Sequence, residues 1–133
     1  MIMKNIILLP LFSVLATSVQ TPEEMLVKMS KVHDACVQRL GISEDVIAKY
    51  RITDSSPPVM CYVDCLMTTS GWMKDGKIQR ESTIESFDPA RRNYAVKVLD
   101  SCENVEVGTH PCEHSYNFHL CAYRTDPENY YLA

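Results

Sequence analysis

Residues 57–71 read PPVMCYVDCLMTTSG, and this stretch decides the fold. Two prolines stand where a helix can start, a mainly apolar run follows, and Gly71 ends it, so the pattern predicts a buried helix. Cys61 and Cys65 lie four residues apart on one face of that helix, with Cβ atoms about 5 to 6 Å apart. A disulfide requires about 3.5 to 4.5 Å between these atoms. Each of the two cysteines is therefore expected to bond to a cysteine on another element.

Four further cysteines surround this helix. The full set is Cys36, Cys61, Cys65, Cys102, Cys112 and Cys121. An even number of cysteines in a small secreted chain predicts three disulfides. Six cysteines can pair in many ways, and their spacing alone does not select one.

Helical periodicity recurs on both sides of the central helix. Before it, Thr21 caps a first helix that ends at Gly41, and Ser43 begins a short second helix. The first helix is expected to bury one face made of Leu26, Met29, Val32, Cys36 and Leu40, and the second carries Val46, Ile47 and Tyr50.

Three more helices are predicted after the central one. A short fourth helix holds Ile84 and Phe87, a fifth begins at Asp88 and Pro89, and a sixth follows His110 and runs to about Arg124. The face of the fifth helix consists of Tyr94, Ala95, Val98, Leu99 and Cys102. All four glycines fall between the proposed helices, and no period-two pattern indicates a strand. The expected fold class is all-α, with six short helices.

The amino-terminal stretch is typical of a secretory signal peptide. Lys4 precedes an apolar run over residues 6–15, and small residues follow at Ala16 and Ser18. The run is about half the ~20 residues that a membrane span needs. We expect a signal peptide over residues 1–18, a domain over 19–133, a secreted, extracellular protein and no stable membrane insertion. The formal charge of -4 makes nucleic acid an unexpected partner.

The cysteine spacing C-x24-C-x3-C-x36-C-x9-C-x8-C resembles the six-cysteine signature of the insect odorant-binding proteins, the pheromone-binding and general odorant-binding family. The x3 and x8 gaps are its most specific features, the x24 gap is slightly short, and the resemblance covers the expected domain. It implies six helices around an internal apolar cavity, cross-linked by three interlocked disulfides. The implied pairs are Cys36–Cys65, Cys61–Cys112 and Cys102–Cys121.

The resemblance also implies where a ligand pocket lies. Residues just after the third cysteine are expected to face the cavity, which selects Met67, Trp72 and Met73. The rest of the expected wall consists of Met29, Val32, Ile84, Phe87, Tyr94, Val98 and Phe118. Methionine and aromatic side chains suit an adaptable apolar pocket, although each of them fits an ordinary core equally well. Tyr94, Tyr123 or Tyr130 could bond to a ligand oxygen.

The implied function is a carrier that binds small hydrophobic ligands, such as odorants or pheromones, and delivers them through chemosensory fluid. Neither enzymatic activity nor a cofactor is expected. A chemosensory receptor is a possible partner, and the carrier is expected to be a monomer or a weak homodimer. The alternatives are a general extracellular lipophile carrier outside olfaction and a secreted ligand for a receptor surface.

Two motifs suggest other chemistry. His33-Asp34-Ala35-Cys36 matches half of the motif of secreted phospholipases A2, a lipid-hydrolysing class, but a preceding cysteine pair and a glycine-rich calcium loop are missing. His110, Cys112 and His114 alternate like metal ligands, but a disulfide sulfur is not a thiolate ligand. No metal site is therefore expected.

The residues after Cys121 end in NYYLA, and this aromatic end is predicted to fold back over the cavity. The four histidines, His33, His110, His114 and His119, belong to the side-chain type that titrates between neutral and mildly acidic pH. The hypothesis at this point is that acid releases ligand by moving the tail. Its alternative is a frayed terminus with exposed histidines.

Overall fold

A computed structural model describes residues 22–133. The predicted signal peptide, residues 1–18, and the predicted cap at Thr21 lie outside the described residues. The elements in chain order are α1 (Pro22–Leu40), α2 (Glu44–Ile47), α3 (Pro57–Thr69), β1 (Met73–Lys74), β2 (Lys77–Ile78), α4 (Arg80–Ser86), a 3-10 turn (Pro89–Arg91), α5 (Arg92–Cys102) and α6 (Glu113–Thr125). The all-α prediction with six helices is confirmed.

A small hairpin is the one departure from helix and loop within residues 22–133. Met73 pairs with Ile78 and Lys74 with Lys77, in antiparallel register. The connecting residues Asp75 and Gly76 both have positive φ, 51° and 73°, as expected of an Asp-Gly hairpin turn. The prediction of a turn without strands was wrong here, because two-residue strands are too short to produce an alternating pattern.

Two helix boundaries also differ from prediction. Asp88 accepts a hydrogen bond from the backbone N–H of Ala90 at 3.1 Å, but the turn that it caps is a 3-10 turn. The α-helix proper starts at Arg92. Phe87, predicted inside the fourth helix, lies just after it in extended conformation. This extended residue separates α4 from α5 and turns the Phe87 ring inward, where it is buried.

The buried face of α1 is rotated from the predicted one. Leu26 is 60% exposed and Leu40 is 36% exposed, whereas Met25 is 5% exposed. Met25 packs in a cluster with Phe87 and Ala95. The spacing of apolar residues in α1 fits two faces that differ by one position. The contact of Met25 with Phe87 and Ala95 decides which of these faces is buried.

Helix α3 occupies the centre and packs against both α1 and α6. Disulfides Cys36–Cys65 and Cys61–Cys112 join it to α1 and to the start of α6, and Cys102–Cys121 joins α5 to α6. These are the pairs that the resemblance implies. The side chains of Val59, Tyr62, Val63 and Met67 on α3 are fully buried. Within residues 22–133, no helix has the length and apolarity needed to cross a membrane.

Candidate functional site

An internal cavity of about 60 Å³ lies between α1, α4, α5 and α6. Residues 126–133, which we call the C-terminal segment, close one side of it with Asn129, Tyr130 and Tyr131. Among the helices of the other walls, α5 and α6 are joined by Cys102–Cys121, α1 is joined to the central helix α3 by Cys36–Cys65, and α4 packs on α5. The cavity therefore has a cross-linked side and a side held only by non-covalent contacts.

Aromatic rings form much of the apolar wall. Phe87 stacks on Trp72 with ring centroids 5.3 Å apart and meets Tyr94 edge-on at 5.9 Å. Met25 and Met29 of α1 complete this side. The thioether chains are flexible and polarizable, so this wall can adapt to apolar ligands of different shape.

The observed cavity and the expected wall agree at six of ten positions. The six residues that line it are Met29, Trp72, Phe87, Tyr94, Val98 and Phe118. Met67 and Met73 do not: they are buried behind the wall and pack with Leu99 in the core. Ile84 packs on the outside of the same clusters, and Val32 packs beside the Cys36 disulfide. These four residues fill helix interfaces, which a helical pattern cannot distinguish from lining a void.

His119 is a polar group on this wall that periodicity could have revealed. It lies on the same face of α6 as Ser115, Phe118 and Ala122, all of them buried. Its Nδ1 is 3.0 Å from the hydroxyl of Tyr130. Burial lowers the pKa of His119 to about 4, so the imidazole is neutral at pH 7. Burial likewise raises the pKa of Tyr130 above its ordinary value, which keeps this hydroxyl protonated.

Among the residues from 22 onward that line the cavity, Arg91 is the one with a formally charged side chain at neutral pH. Its Nη2 donates to the backbone carbonyl of Asn129 at 3.3 Å, and its guanidinium carbon lies 5.7 Å from the ring centroid of Tyr94. None of the ion pairs formed within residues 22–133 includes Arg91. No signal in the sequence distinguished Arg91 or Asn129 from surface residues.

The near end of the C-terminal segment is held by Asp126. Its carboxylate accepts from the side-chain amide of Asn129 at 2.9 Å and lies 3.5 Å from Nζ of Lys97. The Asn129 hydrogen bond, followed by the charge of Lys97, lowers the pKa of Asp126 against the opposing effect of desolvation. The turn that directs the segment back over the cavity is thus formed by polar contacts.

The far end of the segment is held by α3. The Tyr62 hydroxyl donates to the backbone oxygen of Ala133 and lies 2.5 Å from Nδ1 of His33. The other ring nitrogen of His33 lies 2.9 Å from the Glu44 carboxylate. Each ring nitrogen of His33 thus has a polar neighbour, the Tyr62 hydroxyl on one side and the Glu44 carboxylate on the other. Burial, followed by the charge of Glu44, raises the pKa of Tyr62.

Two clusters of residues with metal-ligand chemistry occur in the described part of the chain, and neither lines the cavity. One contains Cys61, His110 and Cys112, but the two sulfurs form a disulfide. The other contains His33, Asp34 and Glu44. His33 already bonds through both nitrogens to Tyr62 and Glu44.

The sequence of this chain matches the profile of the PBP/GOBP family over residues 18–125. The fold is similar to that of odorant binding protein 4 of Chrysopa pallens, at 21% identity and a TM-score of 0.73, covering 86% of this chain and 100% of that one. It is also similar to Apis mellifera odorant binding protein 5, at 17% identity and a TM-score of 0.75, covering 86% and 99%. A fatty acid binding protein from the oral disk of the blowfly Phormia regina matches at 25% identity and a TM-score of 0.64, covering 83% and 98%.

Proposed function

Because the chain belongs to the PBP/GOBP family, we propose that it is a secreted carrier that binds small hydrophobic ligands, odorants or pheromones among them, in the cavity beside Phe87. The observation that carries this proposal is an apolar, aromatic-lined cavity closed by a non-covalently held segment. Ligand pockets are typically concave and mostly apolar, with a few polar groups that orient the ligand. His119, Tyr130 and Arg91 are such groups here.

The size of the cavity supports a gated carrier. A dry cavity of ~150 Å³ admits benzene, and the cavity here is about 60 Å³. A ligand of ~16 heavy atoms therefore requires a wall to move, and we propose that the C-terminal segment is that wall. At roughly 0.4 kcal/mol per atom such a ligand would bind with a Kd on the order of 10 μM.

Several parts of the proposal concern the whole chain. We propose that residues 1–18 are a signal peptide that directs the domain of residues 19–133 to the extracellular space. Three disulfides fit an oxidising compartment. Delivery to a chemosensory receptor, and a monomeric or weakly dimeric state, belong to the same proposal.

A carrier of lipophiles outside olfaction is the second candidate. The similar blowfly protein is described as a fatty acid binding protein of the oral disk, which favours a wider ligand range than volatiles. Hydrolysis of lipids is the less favoured alternative. The histidine of the phospholipase-like motif, His33, is bonded to Tyr62 and Glu44 and is not part of the cavity lining.

Displacement of a hydrophobic fluorescent probe tests the proposal. We expect volatiles and fatty acids to displace the probe from the oxidised domain at micromolar concentrations. The variant V98F fills the cavity and should weaken probe binding about tenfold, while V107F, at a position 61% exposed, should leave it unchanged. Absence of displacement by any ligand would contradict the carrier function, and equal affinity of V98F and V107F would contradict this cavity as its site.

A further inference from the structure

The charge distribution around the cavity indicates which kind of ligand it selects. We propose that the cavity takes an amphiphile with an anionic head, a fatty carboxylate, and that the Arg91 guanidinium at the cavity rim binds this head while the chain lies against Phe87 and Met29. The inference rests on the proposed carrier function and specifies its substrate class.

Arg91 forms no ion pair among residues 22–133, and it lies on a mainly apolar cavity lining. None of the described residues that line the cavity carries a carboxylate. The carboxylate of Asp126 in the C-terminal segment is paired with Asn129 and Lys97. The carboxylate of Asp88, which caps the 3-10 turn that contains Arg91, accepts from the backbone N–H of Ala90 and forms no ion pair among residues 22–133. A charge that is partly withdrawn from water without a partner is unfavourable, so a carboxylate placed beside Arg91 would remove that penalty.

The guanidinium also has free hydrogen-bonding capacity. It has five N–H donors in a planar fork, which match the two oxygens of a carboxylate. The hydrogen bond to the Asn129 carbonyl uses Nη2 at 3.3 Å, a long distance for an N–H···O bond. The ring of Tyr94 below the guanidinium restricts its position by a cation–π contact. Arg91 is thus oriented at the rim while most of its donors remain available.

Two further polar side chains on the lining, those of His119 and Tyr130, are neutral at pH 7. His119 is kept uncharged by burial, and Tyr130 bonds to it. These two groups can serve an alcohol or an aldehyde as well as an acid. Discrimination between an acid and an alcohol of equal chain length therefore falls to Arg91, because a charge-assisted hydrogen bond is about twice as strong as a neutral one.

The test compares dodecanoic acid with 1-dodecanol, both below their aggregation concentrations, at pH 8 where the acid is ionised. For the unmodified domain we expect the acid to bind about tenfold more tightly than the alcohol. In R91Q, which keeps an N–H donor but not the charge, the acid should lose about tenfold in affinity, so that the acid and the alcohol bind equally. R91K should retain part of the preference.

The matched control is R124Q, which removes the same charge from an exposed arginine of α6 that does not line the cavity. R124Q should keep the full preference for the acid. Equal affinities for acid and alcohol in the unmodified domain, or an unchanged preference in R91Q, would overturn the assignment of Arg91 while leaving the carrier function intact. Failure of both compounds and of the probe to bind would overturn the carrier function as well.

Discussion

Helix α3 and the C-terminal segment both contribute to the ligand-binding domain, but they are held in different ways. Cys61 and Cys65 of α3 are bonded to Cys112 at the start of α6 and to Cys36 of α1, and the side chains of Val59, Val63 and Met67 are fully buried. The C-terminal segment has no covalent tie, and its Tyr131 is 60% exposed. Its polar contacts are single hydrogen bonds and one ion pair, each worth about 1 kcal/mol or less, and Tyr130 and Leu132 also pack against the helical core.

This contrast assigns the stability of the fold to the disulfide-bonded helices and ligand access to the cavity to the C-terminal segment. Disulfides limit the freedom of the unfolded chain, so the helical frame does not depend on dense packing around the cavity. A segment held by weak contacts can move without unfolding that frame. The two regions are in contact where the Tyr62 hydroxyl of α3 donates a hydrogen bond to Ala133. Helix α3 therefore also holds the far end of the C-terminal segment. Three changes, in order of decreasing effect, test this division.

Removing a disulfide of the frame should have the largest effect. The Cys61–Cys112 bond spans 51 residues, and the chain-entropy argument predicts that C61A/C112A lowers the free energy of unfolding by about 4 kcal/mol. Urea unfolding at pH 7 measures this loss. A loss below about 1 kcal/mol would show that packing, not cross-linking, stabilises α3.

Acidification should have the next largest effect, through His119. Its pKa is about 4 in the folded protein and near 6.5 when unfolded, so the unfolded state binds more protons between these values. Stability conferred by the neutral, buried ring is present above pH 6.5 and is lost as pH falls toward 4, by up to about 3 kcal/mol. Urea unfolding at pH 7 and pH 4.5 should show this dependence, and H119Q should reduce it. Equal pH dependence in both proteins would refute the role of His119.

Loosening the C-terminal segment should change the free energy of unfolding least, but it should measurably speed the entry of a probe into the cavity. Y130F removes the hydroxyl that bonds to His119, which costs about 1 kcal/mol. We expect faster amide hydrogen exchange in residues 128–133 and faster probe entry, with exchange in α3 unchanged. Y123F alters a neighbouring tyrosine that contacts the Tyr130 ring only by its edge and serves as the control. Identical exchange in Y130F and Y123F would mean that the His119 bond does not hold the segment.

Much of the fold was predictable from local patterns. The proline start of α3, the glycines that lie at several of the breaks and the three-residue gap between Cys61 and Cys65 are all local signals, so they can be recognised without the tertiary structure. The wrong predictions concern positions where a shift of one residue changes which side chain is buried or where a helix ends. Leu26 and Met25 compete for the inner face of α1, and Phe87 is extended although its neighbours are helical.

The candidate site was less predictable than the fold. Trp72, Phe87 and Phe118 were expected on the wall and line it, but Met67 and Met73 fill the core instead. Arg91 and Asn129 carried no signal, because their role depends on the segment folding back from a distant part of the chain.

Sequence alone was sufficient for the helical class, for the buried character of α3 and for the expectation of three disulfides. These properties depend on side-chain chemistry and on spacing along a single helix. Tertiary structure decided where the cavity lies, which side chains face it and that the Arg91 guanidinium lies at its rim. A cavity is the space left between elements, so it depends on how those elements are placed relative to one another, and no single stretch of the chain encodes that placement.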